Sequence, residues 1–136
     1  MTKKLNCIML VDDNPDDNFF HQRVIKRNKS ADHVVVCQSA QEAIDYLKNQ
    51  ELDGWIKPDM IFLDINMPGM SGWEFLEVYE DLILSDKNHV IVVMLTTSEN
   101  PDDIQKADGI SHVASYHAKP LSKELLDELI SKHFKD

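Results

Sequence analysis

Apolar and polar positions run along this chain in blocks, and the period changes from block to block. Residues 5–11 (LNCIMLV) form a mostly apolar run, short and dense enough for a strand buried on both faces. It ends at Asp12 and Asp13, after which Asn14, Pro15, Asp16 and Asp17 supply an N-cap, a proline at the first helical position and acids in the first turn. The following helix is expected to bury Phe20 and Val24 with the neighbouring Phe19 and Ile25, while Lys26, Arg27 and Lys29 fall where its dipole favours cations. Residues 33–37 (HVVVC) predict a short β-branched strand, and Ser39 with Glu42 forms a capping box ahead of Ala43, Ile44 and Leu47 at helical spacing. Residues 49–58 (NQELDGWIKP) are a polar connection with an internal Asp-Gly turn signal, long for such a link.

The alternation continues to the end of the chain. Residues 60–63 are apolar and stop at Asp64; Pro68, Gly69 and Gly72 mark an ordered loop, and a helix starting near Trp73 carries Phe75, Leu76, Tyr79 and Ile83 inward. Residues 85–89 return the chain to 90–95 (VIVVML), the most apolar run, which stops at Thr96, Thr97 and Ser98. Asn100, Pro101, Asp102 and Asp103 repeat the cap, proline and acid device for a short helix that Gly109 ends. Residues 113–118 (VASYHA) read as a weaker fifth strand at an edge, Lys119 and Pro120 follow, and Leu125, Leu126, Leu129, Ile130 and Phe134 give the last helix a core-facing stripe. Strands of this kind joined by helices predict an α/β fold, an open, doubly wound five-stranded parallel sheet covered by five helices, because parallel strands require crossovers. In such sheets the working crevice lies beyond the carboxyl ends of the strands.

Composition narrows the classes. At 136 residues the chain is expected to be a single domain, 1–136, with no room for an added effector. With 14 basic against 24 acidic residues and a net charge of −10, it is a poor partner for nucleic acid or an anionic membrane. No apolar run approaches the ~20 residues needed to cross a bilayer, and the start is too weakly apolar for a signal peptide, so a soluble, cytoplasmic protein is expected. Cys7 and Cys37 lie in separate strands outside any CxxC or cysteine-histidine spacing and read as buried free thiols; the six histidines show no HxxxH or HExxH spacing. Trp55 and Trp73 read as packing residues.

The strand ends then collect Asp12, Asp13, Asp64, Thr96 and Lys119. Each alone has a structural explanation, as a turn former, a loop hydroxyl or a surface charge. Two like charges ~4 Å apart, however, repel by about 4 kcal/mol at an effective dielectric of 20, more than the about 1 kcal/mol that a cap contributes. Three converging carboxylates call for compensation, and a divalent cation would supply it.

The acidic pair after the first strand, Asp64 within DINMPGMSG, Thr96 after the fourth strand and the Lys119-Pro120 pair resemble, in that order, a response-regulator receiver domain of the CheY-like, flavodoxin-like type. The resemblance covers essentially the whole chain and implies the strand order 2-1-3-4-5. It implies that Asp64 is the phosphoacceptor, taking its phosphoryl group from a phosphohistidine on a sensor histidine kinase or histidine phosphotransfer protein. Mg2+ would be held by Asp12, Asp13, Asp64 and the backbone carbonyl of Asn66. Lys119 and Thr96 would contact phosphoryl oxygens, with Thr97 offering a backbone N–H; Thr96 and Tyr116 would act as the switch. Asn66 and Ser98 flank the line of water attack and would set the phosphoryl lifetime. The output face implied is the fourth helix, fifth strand and fifth helix, read by a downstream protein target, with a homodimer left open and no direct nucleic-acid contact. Such a protein catalyses only its own phosphorylation and dephosphorylation, a signalling phosphoacceptor and not an enzyme with a separate substrate.

Two departures from the family pattern stand out, the long connection before Pro58 and an extended segment at 82–88. A haloacid-dehalogenase-like phosphatase would want a second acid two residues after the nucleophile, where this chain has Asn66. A flavodoxin-like flavin carrier would set its phosphate against the acidic corner 12–17. A binding module that is never phosphorylated stays open.

Overall fold

The strands begin and end where the apolar runs do. The protein is described by a computed structural model over residues 4–83, 90–97, 100–110 and 113–134, the Ile83 side chain excepted. The elements are β1 (Leu5–Val11), α1 (Pro15–Arg27), β2 (Ala31–Cys37), α2 (Ala40–Lys48), β3 (Met60–Leu63), α3 (Gly72–Ile83), β4 (Ile91–Thr96), α4 (Pro101–Asp108), β5 (Val113–Ala118) and α5 (Lys123–His133). The expectations for the inward Ile83 side chain, for the return at 85–89 and for Ser98 lie outside the described residues.

All four strand pairings are parallel, in the order β2-β1-β3-β4-β5. Successive residues of a strand point to opposite faces, so where both faces are covered a central strand is apolar on both, and in β1 only Asn6, near its start, is polar and exposed. Met9, Val11, Ile61, Leu63 and Met94 meet Ala43 and Ile44 of α2 and Phe75 and Leu76 of α3 on one face. Ile8, Leu10, Met60, Phe62 and Val93 meet Ile25 of α1 and Leu126, Leu129 and Ile130 of α5 on the other. The edges are β2 and β5; β5 is half-buried over most of its length and its register against β4 shifts between Val92 and Val93. Strand β2 starts two residues before the apolar run and β4 extends one residue past it to Thr96. Cys7 and Cys37 are free and buried, and burial pushes their thiols up to about 11 and about 12.

Capping follows the sequence signals. Asn14 accepts from the amides of Asp16 and Asp17, Ser39 from Glu42 and Asn100 from Asp102, and Ser122 adds a cap by accepting from Leu125. The helix α1 departs from its expected face. Phe19 and Phe20 are 62% and 48% exposed, and the buried positions are Asn18, His21 and Ile25. The first turns of α1 lie over the acidic strand ends, so the inward side chains there are polar; Asn18 Nδ2 donates to the Asp12 carbonyl at 2.8 Å. The long connection before β3 is pinned to α2, since Trp55 Nε1 donates to the Tyr46 carbonyl at 2.7 Å and the Tyr46 hydroxyl donates to the Ile56 carbonyl at 2.5 Å.

After β3 the chain turns back through Gly69, at φ +78°, and reaches Gly72, whose amide donates to the Ile65 carbonyl at 2.8 Å. A Cβ on Gly72 would stand 2.4 Å from the Asp64 carbonyl oxygen and 2.9 Å from Ile65 Cα, so only glycine lets α3 start this close to the strand end. Gly72→Ala should therefore cost about 2–3 kcal/mol through forced backbone displacement, read as a lower urea midpoint at unchanged slope; an unshifted midpoint would contradict this packing.

Candidate functional site

The sheet ladder runs one step past the ends of its strands and fixes the backbone at Asp12, Asp64 and Lys119. The Asp12 amide donates to the Cys37 carbonyl at 3.1 Å, the Asp64 amide to Val11 at 3.0 Å and the Lys119 amide to Thr96 at 3.0 Å. Four chain segments thereby converge at one end of the sheet, where Asp12, Asp64 and Thr96 are buried and Asp13 is exposed. The Lys119-Pro120 peptide is cis.

The side chains meet as the strand-end argument expected. One carboxylate oxygen from each of Asp12, Asp13 and Asp64 lies within 4.8 Å of the others. Lys119 Nζ is 2.5 Å from Asp12 Oδ2 and 3.5 Å from Asp64 Oδ2, and its side chain is only 8% exposed. Its third partner, Asp17 Oδ2 at 2.8 Å, was missed by the sequence reading, which treated Asp17 as a first-turn acid. No sequence signal was available, because an acid in the first turn of α1 reads as a dipole partner whether or not a lysine meets it. Asp12 serves both readings, since its Oδ1 accepts from the Asn14 amide at 3.0 Å to form the turn while Oδ2 holds the lysine. Asp64 divides its carboxylate similarly, Oδ1 accepting from the Ile65 amide at 2.9 Å and Oδ2 facing Lys119; the Thr96 side chain also hydrogen-bonds the carboxylate.

The electrostatics follow from this crowding. Burial raises the Asp64 pKa above the ordinary carboxylate value; the Thr96 hydrogen bond and the Lys119 charge oppose the rise, and Asp12 adds to it. For Lys119, burial pulls downward, but hydrogen bonds to Asp12 and Asp17 and the charges of Asp64 and Asp12 outweigh it, leaving the ammonium above the usual lysine value. Burial, and then Lys119, lower the pKa of the His21 imidazole beside this group.

A cleft of ≈ 450 Å³ opens over these groups, lined by the carboxylates of Asp12, Asp13, Asp17 and Asp64, by Lys119, and by Asn66 and Thr97 at its exposed rim. Four carboxylates against one ammonium leave a formal excess of three negative charges. An all-oxygen donor set with that excess suits a hard divalent cation, and Asp12, Asp13 and Asp64 are placed to hold it. Tyr116 sits apart on β5, half-buried against the core and paired with Met94. Ser98 lies outside the described residues.

The sequence profile of the response regulator receiver domain matches residues 8–131. The chain belongs to the response-regulator receiver family. This receiver is 32% identical to a two-component response regulator from Cytophaga hutchinsonii, whose crystal structure superposes with a TM-score of 0.86 over 96% of this chain and 97% of that one. It is 32% identical to response regulator Rcp1 of Synechocystis over 88% of this chain and 79% of that protein, and 30% identical to the chain of the Mn(2+)-bound Rcp1 structure, at TM-score 0.69 over 93% and 90%. The phosphorylated cyanobacterial phytochrome response regulator RcpA is 32% identical, at TM-score 0.72 over 94% of this chain and 90% of that one. The receiver is thus homologous to phosphoacceptor response regulators of two-component systems. Among the described residues no helix is long and apolar enough to cross a membrane.

The raised Asp64 pKa makes its ionisation unfavourable to folding. The stability it contributes is fully present below the unfolded carboxylate value and is lost as pH rises through the folded one. In chelator at pH 7, Asp64→Asn should therefore unfold at higher urea than the wild type, and the gap should close as pH falls through the raised folded value and be gone below about 4. A variant less stable than wild type at pH 7 would contradict the assigned strain.

Proposed function

We propose that this receiver takes a phosphoryl group from a phosphohistidine onto the Asp64 carboxylate and signals through protein contacts. The observation that carries the reading is one buried ammonium, Lys119, shared among Asp12, Asp17 and Asp64, with the Thr96 side chain on the same Asp64 carboxylate. In the transfer an Asp64 oxygen attacks phosphorus, the phosphorus–nitrogen bond breaks, its electron pair returns to the donor imidazole, and an acyl phosphate forms. Asp64 Oδ2 already faces Lys119, so a phosphoryl group built there would bring its oxygens to the ammonium for charge-assisted hydrogen bonds. The Thr96 hydroxyl and the Thr97 backbone N–H would take the other oxygens.

Phosphoryl transfer between anions depends on positioning and on charge stabilisation. The carboxylates of Asp12, Asp13 and Asp64 and the backbone carbonyl of Asn66 would hold Mg2+. When bound, that cation supplies positive charge where the carboxylate and the phosphoryl group approach each other. The Mn2+ in the Rcp1 structure and the phosphorylated state of RcpA support the assignment by similarity.

Donors of the fitting chemistry are a sensor histidine kinase or a histidine phosphotransfer protein. Movement of Thr96 toward the phosphoryl group, with Tyr116 responding on β5, would shift the population of conformations of the α4, β5 and α5 face that a downstream protein or a second copy reads. Asn66, at the cleft rim, and Ser98 would set the lifetime by governing water attack. The unit proposed is a single cytoplasmic receiver domain, 1–136, with no direct nucleic-acid contact.

Incubation with acetyl phosphate and Mg2+ should add one phosphoryl group by intact mass, with none in Asp64→Asn and a rate lower by about 100-fold in Lys119→Met. No adduct, or an adduct undiminished in Asp64→Asn, would sink the mechanism. Asn66→Ala should alter the rate at which the adduct is lost, and an unchanged rate would remove Asn66 from that role.

A further inference from the structure

The long connection at 49–58 takes no part in the phosphoryl chemistry, yet it builds one wall of a second cleft. This cleft, of ≈ 380 Å³, opens between β2, α2 and the connection. Val35 of β2, Tyr46, Trp55 and Leu52, the last 64% exposed, are among its lining residues, with the buried Cys37 at its floor. The aromatic wall is held in place, because the two rings stack with centroids 5.5 Å apart and their polar atoms are spent within the loop, Trp55 Nε1 on the Tyr46 carbonyl and the Tyr46 hydroxyl on Ile56. What the rings have left to offer the cleft is carbon surface.

Three carboxylates share that lining, Glu42, Asp45 and Asp53, and among the described residues no lysine or arginine does. None of the three is ion-paired among the described residues; Glu42 accepts from the Gln38 amide and Asp45 from Gln41 Nε2, which are neutral donors. Strand β2 is also a sheet edge, so the backbone groups on its outer side have no strand partner. An apolar cleft with an aromatic wall and unpaired carboxylates complements one kind of group, a cation on an apolar stem.

We propose that this cleft docks a segment of a partner protein that presents a lysine or arginine beside an apolar side chain. The apolar residue fills the space against Val35 and Leu52, the basic stem lies along Tyr46 and Trp55, and its charged head reaches the carboxylates. The net charge of −10 selects against acidic partners at the same place. The proposal does not depend on phosphorylation of Asp64.

The test is a titration of the 15N-labelled full chain with the capped tripeptide acetyl-Leu-Arg-Leu-amide and, separately, with its neutral counterpart acetyl-Leu-Gln-Leu-amide. The arginine peptide should give saturable shifts confined to residues 35–37, 42–46 and 52–55, including the Trp55 indole, and the glutamine peptide should bind at least about fivefold more weakly. Asp45→Asn combined with Asp53→Asn, both exposed positions, should erase that preference without changing the rest of the spectrum. Equal response to both peptides, shifts centred elsewhere, or no saturable shift would overturn the proposal. The same shifts on concentrating the chain alone would assign the cleft to a second copy and overturn it as well.

Discussion

The functional end of this sheet is organised by one ammonium group. Asp12 and Asp64 follow adjacent strands, β1 and β3, and Asp17 belongs to the first turn of α1, so the parallel order itself drives carboxylates together. Buried charges persist only when paired, and Lys119 supplies the pairing from the end of the edge strand β5, 107, 102 and 55 residues away in sequence from its three partners. It thus ties the last strand to the first helix and to two central strands. The charge that makes the carboxylate cluster tolerable in the fold is, under the proposed function, also the charge a phosphoryl group on Asp64 would meet.

The sheet was legible for a physical reason. Strands covered on both faces are apolar on both, which makes residues 5–11, 60–63 and 90–95 stand out and makes the first polar residue after each run a strand-end residue. Asp12, Asp64 and Thr96 were found by that rule; Lys119 follows the weaker fifth strand in the same way. The order of the strands was not readable from periodicity and came from the family resemblance, which the structure bears out.

Reading failed where the buried surface is polar. Counting apolar positions along α1 selects Phe19 and Phe20, but this helix crosses an acidic crevice, and the side chains turned inward are Asn18 and His21. The same blind spot hid Asp17, because a first-turn acid and a lysine partner have identical sequence signatures and only the tertiary arrangement distinguishes them. The connection at 49–58 was legible as unusual in length but not in consequence, since its stacking of Trp55 on Tyr46 depends on how the loop folds back over α2. Among the described residues two clefts differ in character, a polar one at the strand ends and a more apolar one bounded by the connection.

The central claim is that, among several neighbouring carboxylates, Asp64 is the one that accepts the phosphoryl group. Reduction of the phosphorylated chain with borohydride converts an aspartyl phosphate to homoserine, and peptide mapping then locates the residue. The account expects homoserine at position 64 alone. Homoserine at 12, 13 or 17, with Asp64 intact, would contradict it.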